Sequence, residues 1–165
     1  MTRARKQLVL ESCVFSKLLY GLESCVLLKA DRGRIDGLQA RCLRRIFKAL
    51  PAWLSRVSNA DVRERARAPP LSSILLERQL GLYGKLARDS AESLPRRMVF
   101  EDIQPTSCLP RNWKSPRARG RPRLQWTTYL YAEALAVAGN DPDTLQSLLQ
   151  NPSEWHAAVR QHCAL

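Results

Sequence analysis

Apolar side chains recur along this chain at spacings of three and four, and no stretch of any length alternates with period two. Successive helical residues turn by about 100°, so that spacing gathers the apolar groups on one helix face. The pattern therefore predicts an all-α fold: a small helical bundle, a long basic Pro/Arg-rich loop and a C-terminal helical segment. The first expected helix covers residues 5–28, with Leu8, Val9, Cys13 (or Ser12), Phe15, Leu18, Leu19 and Leu22 as its apolar positions and Gly21 interrupting them. The second covers 32–50, capped by Asp31 and stopped by Pro51, with Ile35, Leu38, Cys42, Ile46 and Leu50 expected to be buried.

Ser58 and Asp61 have the spacing of a capping box, which opens a helix running to about Arg67 before Pro69 and Pro70 close it. Residues 71–88 form a longer amphipathic helix that turns Ile74, Leu75, Leu80, Tyr83 and Leu86 inward. Gly81 and Gly84 lie inside it, and each costs up to ~1 kcal/mol relative to alanine. Their presence predicts another helix crossing closely there. Residues 90–122 read mostly as loop, with a short ordered piece at 98–103. Helix resumes over 123–138 through Leu124, Trp126 or Thr127, Leu130, Tyr131 and Leu135, and Gly139 is a fitting stop. Asp141-Pro142 and Asn151-Pro152 each place an N-cap before a proline at the first helical position. They open two last helices, the second containing Trp155 and Val159. The domain reading is a helical bundle over 1–90, a basic Pro/Arg-rich connector over 91–122 and a helical segment over 123–165.

Charge sharpens this outline. The chain has 165 residues and a net charge of +12, and residues 1–123 hold 26 of its 27 Lys/Arg but 11 of its 15 Asp/Glu. A basic body with a mildly acidic end points to a polyanionic partner for the body, RNA or DNA. The densest part contains Arg111, Lys114, Arg117, Arg119, Arg121 and Arg123 with no acid among them. Such a segment has little to bury, but it can lie along phosphates and release their counterions. Arg96 and Arg97 extend it, and Trp113 flanks it where an unpaired base could stack. Trp126 also flanks it, although with Leu130 it reads more readily as core. Arg119-Gly120-Arg121-Pro122 matches the core of a minor-groove hook, a four-residue coincidence that arginine-rich chains produce readily. In the second helix Arg41, Arg44, Arg45 and Lys48 gather on an arc about 100° wide, a like-charge cluster that an anion would relieve.

The five cysteines, at 13, 25, 42, 108 and 163, show no metal-ligand spacing, and no metal or other cofactor is expected. Cys13, Cys25 and Cys42 read as small apolar residues in a reducing compartment. The only histidines, His156 and His162, have no nucleophile motif to serve, and Glu101-Asp102 is a single acidic couple. Catalysis is not expected. Nor is a signal peptide or membrane span: Glu11 and Lys17 interrupt the N-terminal apolar run, and Glu23 interrupts the next. A nuclear or cytoplasmic location and no membrane partner follow from that reading.

Several phrases stand in a telling order: Lys17-Leu-Leu-Tyr-Gly-Leu-Glu23, Leu38-Gln-Ala-Arg-Cys-Leu-Arg-Arg-Ile46, Asn59-x-x-Val62 and Pro70-Leu71-Ser72. Then come Leu82-Tyr83-Gly84-Lys85-Leu86-Ala87-Arg88, Leu94-Pro-Arg-Arg97 and Gly120-Arg-Pro-Arg123 with Trp126. Together, over residues 17–130, they resemble the region just beyond the polymerase core of non-LTR (LINE-type) retrotransposon reverse transcriptases. Leu82 stands where that family often has tryptophan, and Lys85 where it often has histidine. No two aspartates are adjacent, so the paired carboxylates of two-metal nucleotidyl transfer are missing, as is the family's cysteine–histidine knuckle. The resemblance implies a non-catalytic thumb and linker that grips template RNA and target DNA, with a polymerase domain encoded elsewhere as a further partner. The alternatives are a helical protein–protein interaction module and a non-functional retroelement remnant.

Overall fold

The computed structural model describes residues 1–100, 109–110 and 125–164. The protein is all-α. Among the described residues the only extended pairing is a single antiparallel bridge between Phe100 and Pro110. Contacts gather the chain into two compact units, Met1–Glu23 with Leu27–Leu76, and Ser24–Val26 with Glu77–Leu165.

In the first unit, Thr2 caps helix α1 (Arg3–Val9) by accepting from the Arg5 amide at 3.4 Å. A π-helical turn over Leu10–Phe15 follows, then a short α2 (Ser16–Leu19). The expected helix over 5–28 therefore stops early, because Gly21 takes a left-handed φ of 76° that turns the chain away. The widened π turn also changes which residues face inward. Phe15 and Leu19 are buried, whereas Leu8, Val9 and Cys13, expected inside, are exposed.

Helix α3 (Lys29–Phe47) begins ahead of Asp31, which lies in its first turn and pairs with Arg34 at 2.9 Å. It ends where Lys48 adopts a left-handed φ of 54°, before Pro51 is reached. Its most buried residues are Gln39, Ala40, Leu43 and Arg44. The expected stripe is corrected accordingly: Ile35, Leu38, Cys42 and Ile46 are half-buried, and Leu50 is exposed. Ile35 and Cys42 pack beside a cluster of Phe15, Leu19, Leu71 and Leu75. Leu43 joins a second cluster with Val62 and Ala66 from α5 (Asn59–Ala66), and Leu10 touches both.

The inward turn of α3 follows from what its polar residues reach. Pro69 and Pro70 precede α6 (Leu71–Arg88), whose first amides lack intrahelical acceptors. Gln39 donates to Pro69 O (2.8 Å) and accepts from the Leu71 amide (3.3 Å), and Asp36 accepts from the Ser72 amide (2.9 Å) and hydroxyl (2.7 Å). The Ser58 capping box of α5 forms as expected, with Asp61 N donating to Ser58 Oγ (3.1 Å) and Ser58 N to Asp61 Oδ2 (3.0 Å).

The second unit contains the later part of α6, then α7 (Leu94–Val99), α8 (Trp126–Val137), α9 (Pro142–Gln150) and α10 (Pro152–Ala164). Helices α8, α9 and α10 pack on one another. Trp155 is fully buried, and its indole N–H donates to Leu80 O at 3.1 Å. A Cβ on Gly84 would fall on that indole, so this glycine permits the close crossing expected of it, while Gly81 has ordinary room. Gly139 (φ 69°) ends α8, and Asp141 caps α9 through the Asp143 and Thr144 amides. Helix α7 replaces the ordered piece expected at 98–103, and residues 101–103 of that expectation lie outside the described residues.

Candidate nucleic-acid interface

Arg41, Arg45 and Lys48 stand at positions i, i+4 and i+7 of α3 and its C-cap, so they line one face within about 60° of the helix circumference. All three are exposed, and among the described residues none of their side chains has a hydrogen-bond or ion-pair partner. Arg34, seven residues ahead of Arg41, falls on the same line but is answered by Asp31. Sequence reading passed over Arg34; the spacing 34, 41, 48 is the signal that could have found it. From Arg34 to Lys48 the stripe measures about 20 Å at 1.5 Å per residue. No acidic residue occurs over 37–60.

Arg44 is different. It was expected on the basic arc, yet it is buried, with Nη1 donating to Leu50 O (2.8 Å) and Nη2 to Val57 O (2.6 Å) and Asn59 Oδ1 (3.2 Å). Its guanidinium ties the ends of the turn over 48–58 together, so it is a structural group and is not available to a phosphate. The reason is geometric: the planar guanidinium carries donors on both terminal nitrogens and so serves acceptors on both sides of the turn.

That turn holds α4 (Ala52–Ser55) between two left-handed residues, Lys48 (φ 54°) and Arg56 (φ 53°). Ser55 Oγ donates to Leu50 O (3.2 Å) and Pro51 O (3.1 Å), and Arg56 N donates to Ala52 O (3.1 Å). On this braced backbone Trp53 is 83% exposed, beside exposed Leu50 and Leu54. The sequence reading missed Trp53, since a tryptophan after proline and alanine carries no signal that separates core from surface.

In the second unit Arg96, also expected at the interface, is buried at 1% exposure. It donates to Ala87 O and to Asp89 O (3.4 Å), and its guanidinium carbon lies 5.6 Å from the Phe100 ring centroid. Tyr83 meets that ring edge-on at 5.4 Å. Arg97, its neighbour, is exposed. Arg111, Trp113, Lys114, Arg117, Arg119, Arg121 and Arg123 lie outside the described residues.

Other chemistry is sparse. Among the described residues no three His, Cys, Asp or Glu side chains are placed to hold a metal. Cys163 is pushed up to about 11, first by burial and then by Glu77 and Glu133, so its thiol is held protonated. Cys13 and Cys25 are exposed rather than packed, while Cys42 is half-buried. Among the described residues no helix is long and apolar enough to cross a membrane. Compared with known proteins, the chain matches no family model, no curated protein and no solved structure.

Proposed function

We propose that this chain is a non-catalytic nucleic-acid-binding module of the kind that follows the polymerase core in LINE-type reverse transcriptases. The observation that carries the reading is the line of exposed cations Arg41, Arg45 and Lys48 in an acid-free interval. Cations aligned on a helix repel one another, and a phosphate backbone both relieves that repulsion and gains counterion entropy. The arginine run over 111–123 supplies a second basic element by sequence.

The test is fluorescence anisotropy of the full chain with labelled RNA, single-stranded DNA and duplex DNA across a salt series. Affinity is expected to fall linearly in log–log form, and Arg41→Gln/Arg45→Gln/Lys48→Gln is expected to reduce the slope by roughly 2 to 3. No binding at low salt, or a slope unchanged in the triple variant, would overturn this role for the stripe. A second reading, a helical module that docks on another protein, is favoured by the exposed apolar side chains Leu8, Val9, Val14 and Tyr20 of the N-terminal helices. It is the reading left if no nucleic acid binds.

A further inference from the structure

The turn after α3 combines three properties. Its backbone is held from inside by the buried Arg44 fork and from outside by Ser55, with the hydroxyl also accepting from the Val57 amide at 3.4 Å. Its apolar side chains nevertheless face solvent, with Trp53 the most exposed at 83% and, among the described residues, without a ring or hydrogen-bond partner. Its flanks are cationic, with Lys48 before it and Arg56 after it, both exposed.

Leaving an indole in water forfeits the roughly 1.5–3 kcal/mol that burying a large apolar side chain contributes. A rigid, outward aromatic face between two cations is the arrangement that takes an unpaired base, because every base offers a π-face while the cations hold the phosphates on either side. Paired bases in a duplex are already stacked and have no free face to offer.

We infer that Trp53 is a stacking platform for an unpaired base, and that the polyanion this chain prefers is therefore single-stranded. The inference rests on the nucleic-acid reading above and names the substrate class of the same surface. An acidic protein partner could use Lys48 and Arg56 equally well, and it is the reading left if neither oligonucleotide binds.

The experiment compares the full chain with Trp53→Ala, Trp53→Phe and Leu54→Ala on a labelled 12-nucleotide single strand and a duplex of the same length, each across a salt series. Trp53 and Leu54 are solvent-facing, and urea unfolding checks that each variant keeps its fold. Trp53→Ala is expected to weaken single-strand binding roughly ten- to hundredfold with an unchanged salt slope, since stacking displaces no counterions. Trp53→Phe is expected to retain most of the affinity, Leu54→Ala nearly all of it, and duplex binding is expected to be unaffected by any of the three. Equal losses on strand and duplex, or equal losses for Trp53→Ala and Leu54→Ala, would overturn stacking while leaving phosphate binding intact. An unmutated chain that binds neither oligonucleotide at low salt would instead overturn the nucleic-acid reading, and the platform with it.

Discussion

Two turns of this molecule use the same device and finish differently. The turn over 48–58 hangs on Arg44 and the turn over 87–100 on Arg96, each a buried guanidinium that donates to backbone carbonyls. Each also has a serine–aspartate pair at a helix start: Ser58 with Asp61, and Ser93 with Asp89. In the second turn the aromatic residue closes inward, with Phe100 buried under the Arg96 guanidinium and against Tyr83. In the first it opens outward, and Trp53 meets solvent. The internal brace therefore does not dictate where the aromatic goes. What distinguishes the turns is what each ring meets: Tyr83 and the Arg96 guanidinium for Phe100, and solvent for Trp53.

The strongest way to break the comparison is to remove each fork. Arg44→Met takes the guanidinium donors from Val57 O and Asn59 Oδ1 and leaves Leu50 O with Ser55 Oγ, and it is expected to destabilise the chain by about 3 kcal/mol in urea unfolding. Arg96→Met is expected to cost about 2 kcal/mol, because a thioether keeps contact with Phe100 while two carbonyls go unserved. If both variants unfolded like the unmutated chain, the arginines would not be the braces described. A middle-sized effect is expected from Ser58→Ala, about 1 kcal/mol, since one helix-opening amide loses its acceptor.

The smallest effect is the acid response of the two carboxylates, Asp61 and Asp89. Hydrogen bonds from Ser58 hold Asp61 below the usual carboxylate range, and those from Ser93 and Ser90 do the same for Asp89. A lowered folded value means that the stabilisation is complete above about pH 5. It is lost as pH falls below 4 through the folded value. Asp61→Asn and Asp89→Asn should each flatten that acid slope in urea midpoints taken from pH 6 to 2. An unchanged slope in either variant would remove its carboxylate from the comparison.

Where local chemistry decides the structure, the sequence was readable. The span of α6 follows from two prolines ahead of an apolar periodicity, α5 from its capping box, and α9 from Asp141-Pro142. The close crossing at Gly84 was legible because a glycine inside a helix needs a reason. Partners distant in sequence were not legible. Gln39 and Arg44 count as polar in any periodicity, yet their acceptors at Pro69, Leu50 and Val57 draw that face of α3 inward and leave Leu50 outside. The candidate interface divided along the same line. Arg41, Arg45 and Lys48 are exposed as the spacing suggested, Arg44 is claimed by its own backbone, and Trp53 was passed over.

The π turn at Leu10–Phe15 has a consequence that concerns phase. An extra residue in one helical turn delays every later side chain by about 100° without displacing the axis much. This turn is thus a point where chain length and rotation are exchanged. A chain one residue shorter here could close into ordinary α-helix, but Leu8 and Val9 would swing around relative to Phe15 and Leu19. One inserted residue in this turn, and not a substitution, decides which apolar groups of the N-terminal helices meet the core and which meet the outside.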